Sequence, residues 1–238
     1  MTDTPIIEAH QLDTYYGASH ILHGVDLTVS AGEAVGLMGR NGMGKTTLIR
    51  TLVGHVPPRR GEVRINGIVM TRAAPHLIAR QGIAYVPEGR AIFPNLSVKE
   101  NLVMAARLGT NGTNYWTYER VLETFPRLAE RLSYGGQQLS GGEQHMLSIG
   151  RALMTNPSLL ILDEATEGLA PLIAQEIWHI IRSIRATGIA AIIVDKNFTA
   201  VSALTDRNVI LVKGRVVFEG TGAELRAQPE LLQQHLGI

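Results

Sequence analysis

The sequence of 238 residues contains no cysteine, so disulfide bonds, thiolate zinc sites and cysteine nucleophiles are excluded. Its 22 basic and 21 acidic residues leave a net charge of +1. A chain with this balance lacks the basic surface typical of nucleic-acid binding, and we predict no nucleic-acid partner. No apolar run approaches the roughly 20 residues needed to cross a bilayer, and the N-terminus lacks the apolar core of a signal peptide. We therefore expect any membrane role to depend on a partner protein.

The chain length suits one large α/β domain. Strand patterns dominate the first third, and alternating strands and helices return after residue 157. The residues between are helical in pattern and include Ser97-Val-Lys-Glu100, a sequence typical of a capping box. We predict one domain in which residues 1–86 and 157–238 form an α/β core and residues 87–156 an inserted helical subdomain. The predicted strands are 6–11, 25–29, 34–38, 61–65, 82–86, 158–162, 189–194 and a hairpin at 209–218; the predicted helices are 46–53, 75–80, 171–187 and short helices within 223–236.

A glycine-rich segment at residues 39–46, GRNGMGKT, fits the pattern Gly-x-x-x-x-Gly-Lys-[Ser/Thr]. It lies between a predicted strand and a predicted helix, which is the context that a phosphate-binding loop requires. Glycines let backbone amides approach phosphate oxygens, Lys45 brings a positive charge to them, and the Thr46 hydroxyl is suited to bind Mg²⁺. The alternative is a plain glycine-rich turn. The predicted nucleotide-binding residues of this phosphate loop are Gly39, Arg40, Asn41, Gly42, Met43, Gly44, Lys45, Thr46 and Thr47.

An apolar run ends in Asp163-Glu164. As a buried strand it delivers both carboxylates to its carboxyl end, where α/β sheets bind ligands. We expect Asp163 to hold Mg²⁺ through water and Glu164 to act as general base on the attacking water. An acidic pair after a strand can also be only a helix cap, but the upstream phosphate loop favours the catalytic interpretation.

A second glycine-containing segment, LSGGEQ at residues 139–144, precedes a helical pattern. Ser140 and Glu143 have the spacing of a capping box. The helix start exposes free N–H groups and a positive dipole, and the two glycines let an anion approach closely. The alternative is a well-capped helix without a ligand.

The order GRNGMGKTT, LSGGEQ, LLILDE resembles the ATP-binding cassette family over essentially the whole chain. The resemblance implies a P-loop NTPase fold with a mixed central sheet, an N-terminal antiparallel β part and the inserted helical subdomain. In that family the LSGGEQ segment of one subunit closes over the γ-phosphate held by another. A head-to-tail dimer enclosing two ATP molecules is therefore implied. The residues that would contact ATP from the opposite subunit are Ser140, Gly141, Gly142 and Gln144.

Finer resemblance comes from TYYG, YVPEGRAIFPNLSVKENL and LDEATEGLAP, which look like the ATPase subunit of branched-chain amino-acid uptake transporters. This implies ATP hydrolysis with ATP and Mg²⁺, at the cytoplasmic face of a bacterial-type membrane. Implied partners are transmembrane permease subunits docking at residues 88–96, a second ATPase subunit in a heterodimer or homodimer, and indirectly a periplasmic solute-binding protein. Close relatives import urea or short amides, so the solute stays open. Tyr16, before Gly17, matches the aromatic that stacks on adenine, although by residue type it can equally be a core tyrosine.

Three residues depart from the general cassette pattern. Glu88 replaces a glutamine, which is usual for the branched-chain subfamily and brings a carboxylate near Mg²⁺. Lys196 occupies the position of the histidine that contacts the γ-phosphate, and a lysine can meet a phosphate only as a point charge. Ala170 replaces an aspartate. Lys196 keeps open a non-hydrolysing regulatory subunit, whereas Glu164 argues against it. The predicted catalytic residues are Glu164, Lys45 and Lys196. A soluble cassette protein of translation or DNA maintenance is less favoured, because the chain has one cassette and little net charge.

Overall fold

The computed structural model describes residues 5–237; residues 1–4, on which the signal-peptide prediction partly rests, lie outside this range. Within it, none of the helices combines the length and hydropathy needed to span a bilayer. The strands are β1 (Ile7–Tyr16), β2 (Ser19–Val29), β3 (Ala34–Met38), β4 (Arg60–Ile65), β5 (Ile68–Val69), β6 (Ile83–Val86), β7 (Leu159–Asp163), β8 (Ala190–Val194), β9 (Arg207–Val212) and β10 (Arg215–Gly220). The helices are α1 (Lys45–Leu52), α2 (Pro75–Arg80), α3 (Val98–Val103), α4 (Tyr118–Thr124), α5 (Pro126–Ala129), α6 (Gly141–Leu153), α7 (Pro171–Arg185), α8 (Phe198–Leu204), α9 (Gly222–Arg226) and α10 (Pro229–His235).

Two sheets organise the fold. The first is antiparallel, with strand order β2-β1-β4-β5, and comes from the N-terminal part of the chain. The second has the order β10-β9-β3-β8-β7-β6, in which every pairing is parallel except that of β9 with β10. The predicted antiparallel part and mixed central sheet are therefore both present.

The inner strands β3, β7 and β8 of the central sheet are buried at every position and, apart from Gly36 and Asp163, consist of apolar side chains. Along β7, Leu159 and Ile161 face a core shared with the antiparallel sheet and α1, whereas Leu160 and Leu162 face a second core beneath α6 and α7. A strand with two covered faces reads as an unbroken apolar run, whereas a half-exposed strand alternates. This explains why β3, β7 and β8 follow their predicted bounds within one residue.

Within the described residues, the region between β6 and β7 contains helices, turns and an isolated β-bridge of Ser97 with Gly135, but no strand. Ser97 and Ser140 cap α3 and α6 through complete capping boxes, as predicted. Leu102 and Phe125 from this region belong to the same core as Leu160 of the sheet. The helices thus pack directly on the sheet, and the exact boundaries of a helical subdomain at residues 87–156 stay a prediction.

Several element predictions were incomplete. β1 ends at Tyr16 rather than at residue 11, and β2 begins at Ser19 rather than at residue 25. Polar residues continue the antiparallel pairing through bulges beyond the predicted apolar stretches. The helical pattern predicted for residues 97–132, with a break at the Gly/Asn stretch 109–114, forms α3 before the break and α4 and α5 after it. The division between α4 and α5, at Pro126, was not predicted. Helix α8, capped by Asn197, was not predicted.

His145 is a buried histidine of α6. Its side chain is 1% exposed, and within the described residues neither ring nitrogen has a hydrogen-bond partner. Burial, with a smaller contribution from Arg90, lowers the pKa of His145 to about 4 against an opposing effect of Asp195. The imidazole is therefore neutral in the folded chain at neutral pH.

We expect His145→Leu to lose less stability at acidic pH than the wild-type protein does. The folded-state pKa of about 4 lies below the ordinary value of 6.5. Between these values the unfolded chain binds a proton that the folded chain does not, so the free energy of unfolding falls as the pH falls. Denaturant titrations at pH 7 and pH 5 should show a smaller decrease in the variant, by on the order of 1–2 kcal/mol. His179→Leu changes an exposed histidine of α7 and serves as the control; equal decreases in wild type and His145→Leu would contradict this account.

Candidate nucleotide-binding and hydrolysis site

The phosphate loop emerges from the carboxyl end of β3 and leads into α1. Gly39 has φ 140°, and a Cβ built on it would lie 2.3 Å from the Leu211 carbonyl oxygen, so only glycine fits there. Gly42 has φ 77° and open space on its Cβ side. A loop with exposed backbone and no side chains in the way can bring its N–H groups close to a phosphate.

Lys45, the first residue of α1, reaches back over the loop. Its Nζ donates hydrogen bonds to the carbonyl oxygens of Gly39 (2.7 Å) and Arg40 (3.0 Å). Burial lowers the pKa of Lys45, while the carboxylates of Glu164 and Asp163 raise it. The ammonium thus lies between the loop and the acidic residues that follow β7.

A cavity of about 390 Å³ lies against the phosphate loop. Most of its wall comes from predicted site residues, and two lining residues, Ile21 of β2 and Glu167, were not predicted. Glu167 lies three residues after Glu164, within the LDEATEGLAP stretch, but no role was predicted for it. The lining residues are Ile21, Asn41, Gly42, Gly44, Lys45, Thr46, Thr47, Glu88, Glu164 and Glu167.

Asp163 ends β7 and is buried, with 1% of its surface exposed. The Tyr85 hydroxyl, from the neighbouring strand β6, donates a hydrogen bond to Asp163 Oδ2 (3.1 Å). Burial raises the pKa of both groups, and the Asp163 charge raises that of Tyr85 further. Within residues 5–237, Asp163 Oδ1 has no hydrogen-bond partner. The sequence patterns missed Tyr85, because a contact between adjacent strands leaves no mark in the spacing.

Glu164 has φ 55°, an uncommon conformation for a residue with a side chain. Its carboxylate lies near those of Glu88 and Glu167, with one oxygen of each within 4.8 Å of the others. Burial and the neighbouring Glu167 raise the pKa of Glu164, and the Lys196 charge opposes this. Lys196 Nζ forms an ion pair with Glu167 Oε1 and lies 3.8 Å from Glu164 Oε2. Predicted residues Glu88, Glu164 and Lys196 are therefore brought together in one charged cluster.

These oxygen ligands suit a divalent cation. Mg²⁺ prefers hard oxygen ligands, and the site offers carboxylates, the Thr46 hydroxyl and the unpartnered buried oxygen of Asp163. The residues present thus fit Mg²⁺, with Thr46, Glu88 and Asp163 as the predicted ligands.

The LSGGEQ segment lies apart from this cavity, and none of residues 139–144 lines it. Ser140 caps α6 and is exposed, whereas Gly142 packs so closely on Ile173 of α7 that a Cβ would lie 2.3 Å away. The Gln144 side chain accepts a hydrogen bond from Arg90 Nη1 (2.7 Å) and donates one to the Gly136 carbonyl. Gly142 therefore has a packing role, and Ser140 and Gly141 are the more open positions of the segment.

Tyr16 is not a core residue, because 43% of its surface is exposed. It lies beside Arg50 of α1, and its hydroxyl raises the pKa of that guanidinium. Tyr16 is absent from the wall of the phosphate-loop cavity, where Ile21 takes part instead. Its predicted contact with adenine stays a prediction.

Comparison with known proteins connects these features. The ABC transporter family profile matches residues 22–167, a range that contains the phosphate loop, the LSGGEQ segment and the acidic pair. The chain belongs to the ABC transporter family. Membership of the ABC transporter family confirms the predicted fold class and the predicted ATP-binding and ATP-hydrolysing activity.

Individual relatives of this ABC transporter subunit match it along its length. The Pseudomonas aeruginosa high-affinity branched-chain amino acid transport ATP-binding protein BraG is 42% identical, covering 95% of this chain and 97% of that protein. The Archaeoglobus fulgidus probable branched-chain amino acid transport ATP-binding protein LivF is 33% identical over 96% and 97%. The Escherichia coli lipopolysaccharide export system ATP-binding protein LptB is 34% identical over 97% of each. A solved ATP-binding subunit of an ABC transporter superposes with a TM-score of 0.81 at 33% identity, covering 95% of this chain and 94% of that one.

We expect Glu164→Gln to abolish most ATP hydrolysis while leaving ATP binding intact. The amide keeps the size of the side chain but cannot accept a proton from water, and loss of a general base typically costs about 10²–10⁴-fold in rate. Phosphate release at saturating ATP and Mg²⁺ measures the rate, and titration with a fluorescent ATP analogue measures binding. Glu176→Gln, the same change in an exposed ion pair with Arg127, is the control. Unchanged turnover in Glu164→Gln would remove this residue from the mechanism.

Proposed function

We propose that the chain is the ATP-hydrolysing subunit of an importer for branched-chain amino acids. The observation that carries this proposal is the 42% identity, over nearly the full length of both chains, to a protein named for high-affinity branched-chain amino acid transport. Glu88, which is usual in that subfamily, lies in the acidic wall of the phosphate-loop cavity. In this function the energy of ATP binding and hydrolysis drives solute uptake through separate membrane subunits.

The phosphate loop binds ATP through its backbone amides, and Lys45 neutralises phosphate charge. Lys45 Nζ contacts carbonyl oxygens of the loop, so the ammonium already lies beside the backbone that receives the phosphates. Preorganised charges of this kind favour the transition state of phosphoryl transfer because they need not reorient during the reaction.

Glu164 acts as general base. It accepts a proton from the attacking water as the water oxygen bonds to the γ-phosphorus and the bond from phosphorus to the β–γ bridging oxygen breaks, giving ADP and phosphate. Lys196 Nζ, 3.8 Å from Glu164 Oε2, takes the place of a γ-phosphate-contacting histidine as a point charge. Thr46, Glu88 and Asp163 hold Mg²⁺, which when bound supplies positive charge to the phosphate oxygens.

Two subunits complete each site. In support, the exposed Ser140 caps the start of α6, a helix of 13 residues. No residue of the LSGGEQ segment lines the phosphate-loop cavity of its own chain. The N-terminus of a helix attracts anions through free N–H groups and its dipole. Ser140 and Gly141 of one subunit then contact the γ-phosphate on the other, with Gln144 positioned behind them. The second ATPase subunit is a different chain or a second copy.

The membrane subunits dock in a groove between the sheet and the helical region. A cavity of about 450 Å³ is lined by α2, by Tyr85 of β6 and by Ser148, Arg151 and Ala152 of α6. A neighbouring cavity shares Tyr85 and Arg151 with it and extends to Ala91. Arg151 Nη1 is buried without a hydrogen-bond partner among the described residues. The groove therefore suits a short cytoplasmic helix that carries apolar side chains and an acidic residue for Arg151.

The segment at residues 88–96 forms one rim of this groove. Arg90 and Ala91 have positive φ, and their carbonyl oxygens accept hydrogen bonds from Ser148 and Arg151 of α6. The Phe93 ring is 46% exposed and lies 5.0 Å from the Arg151 guanidinium. Glu88 lies at the other end, in the phosphate-loop cavity. One short segment thus connects the docking groove to the ATP site at the cytoplasmic face of the membrane. On the opposite side of the membrane, a periplasmic solute-binding protein supplies the solute.

The solute is tested by uptake in cells that lack the gene for this chain. We expect loss of leucine, isoleucine and valine uptake, with urea and acetamide uptake unaffected, and rescue by the wild-type gene but not by Glu164→Gln. Radiolabelled solutes at low concentration measure each rate. Loss of urea or amide uptake alone would indicate that the solute is urea or an amide instead of a branched-chain amino acid. Full rescue by Glu164→Gln would indicate a regulatory rather than a hydrolysing subunit.

Phe93→Asp should uncouple transport from ATP binding. A carboxylate in place of the exposed ring removes the apolar contact offered to a membrane subunit and brings a competing acceptor to Arg151. We expect uptake to fall by roughly 10-fold or more, as is typical for a truncated anchor residue at an interface, while the isolated chain binds ATP as before. Tyr115→Asp, which changes an aromatic of similar exposure outside the groove, is the control. Normal uptake by Phe93→Asp would exclude this docking surface.

A further inference from the structure

Lys196, one of the departures from the cassette pattern, lies in contact with Glu167. Lys196 follows β8, and Glu167 follows β7 after the acidic pair. The two strands are adjacent and parallel, with Asp163 opposite Val194, so the loops that follow them leave the sheet side by side. Lys196 Nζ and Glu167 Oε1 form an ion pair across these loops. Neither side chain is buried, and exposed ion pairs add little to stability. The importance of the pair therefore lies in where it holds the ammonium group.

The alternative partner for Lys196 is the proposed general base. Glu164 Oε2 lies 3.8 Å from Lys196 Nζ, a long ion pair that a small rotation of the lysine side chain would shorten. The nearby Asp195 is already engaged, since its carboxylate accepts hydrogen bonds from Thr166 N, Thr166 Oγ1 and Asn197 N. Without Glu167, the ammonium would move onto Glu164.

We propose that Glu167 is a positioning residue for ATP hydrolysis that keeps the Lys196 ammonium from a closer contact with the carboxylate of Glu164. Glu164 then keeps its lone pairs for the proton of the attacking water, and Lys196 stays beside the phosphate loop, where it lines a cavity together with Gly39 and Asn41. A lysine without such a partner would neutralise the base, so this chain tolerates lysine in place of histidine because Glu167 accompanies it. The inference rests on the role proposed above for Glu164.

Kinetics of single and double variants test the proposal. We expect Glu167→Gln to lower kcat roughly 10-fold and to change KM for ATP less than about 3-fold, because the base is impaired while the phosphate loop is intact. Glu167→Asp, which keeps the charge, should recover part of the loss. In a Lys196→Gln background the same Glu167→Gln change should have no further effect, since no ammonium remains to be held. An equal loss of kcat in both backgrounds would overturn the proposal.

A second readout needs no nucleotide. The lysines of the chain are Lys45, Lys99, Lys196 and Lys213, so protein labelled with ¹³C and ¹⁵N at the lysine Cε and Nζ gives few, resolvable NMR signals, and Lys196→Gln identifies that of Lys196. Glu167→Gln should shift the Lys196 signal and leave those of Lys99 and Lys213 in place. Glu176→Gln, in the ion pair with Arg127, should shift none of them. An unmoved Lys196 signal would contradict the ion pair itself. If Glu164 is not the general base, this would appear instead as unchanged turnover in Glu164→Gln.

Discussion

Parallel pairing of β3, β8 and β7 is the constraint on which the site depends. Gly36 lies opposite Ile193, and Asp163 lies opposite Val194, so the carboxyl ends of these strands form one edge of the sheet. The phosphate loop, the acidic pair and Lys196 all follow directly from that edge. A shift of one residue in the β7–β8 register would turn Asp163 to the other face of the sheet. Because every position of these strands is buried, such a shift would also expose apolar side chains.

The near-zero net charge of the chain conceals a strongly charged site. Lys45 and Lys196 lie among Asp163, Glu164 and Glu167, and each carboxylate has a cation or a hydroxyl within reach. The two lysines thus offset part of the negative charge of the carboxylates. Binding a polyphosphate exchanges these internal partners for ligand oxygens, and for this reason the positions of the two lysines control the chemistry more than the total charge does.

The sequence patterns predicted what depends on local order. The phosphate loop, the apolar strands and the Ser140 capping box could all be predicted because backbone geometry requires glycine, apolar runs and capping side chains at fixed spacing. Contacts between neighbouring strands and loops could not: Tyr85 with Asp163 and Glu167 with Lys196 join residues 78 and 29 positions apart. Helix α8 was also missed, since its seven residues include β-branched types with weak helix propensity and its start depends on the Asn197 cap.

Tyr85 belongs to two surfaces at once. Its ring forms part of the groove between sheet and helices, and its hydroxyl holds a buried oxygen of Asp163. A helix seated in that groove would press on one end of a rigid phenol whose hydroxyl contacts the carboxylate that we propose to hold Mg²⁺. A displacement caused by the membrane subunit would then reach the hydrolysis site through a single side chain. Because the phenol ring is covalently rigid, the displacement would not be absorbed by a series of deformable contacts.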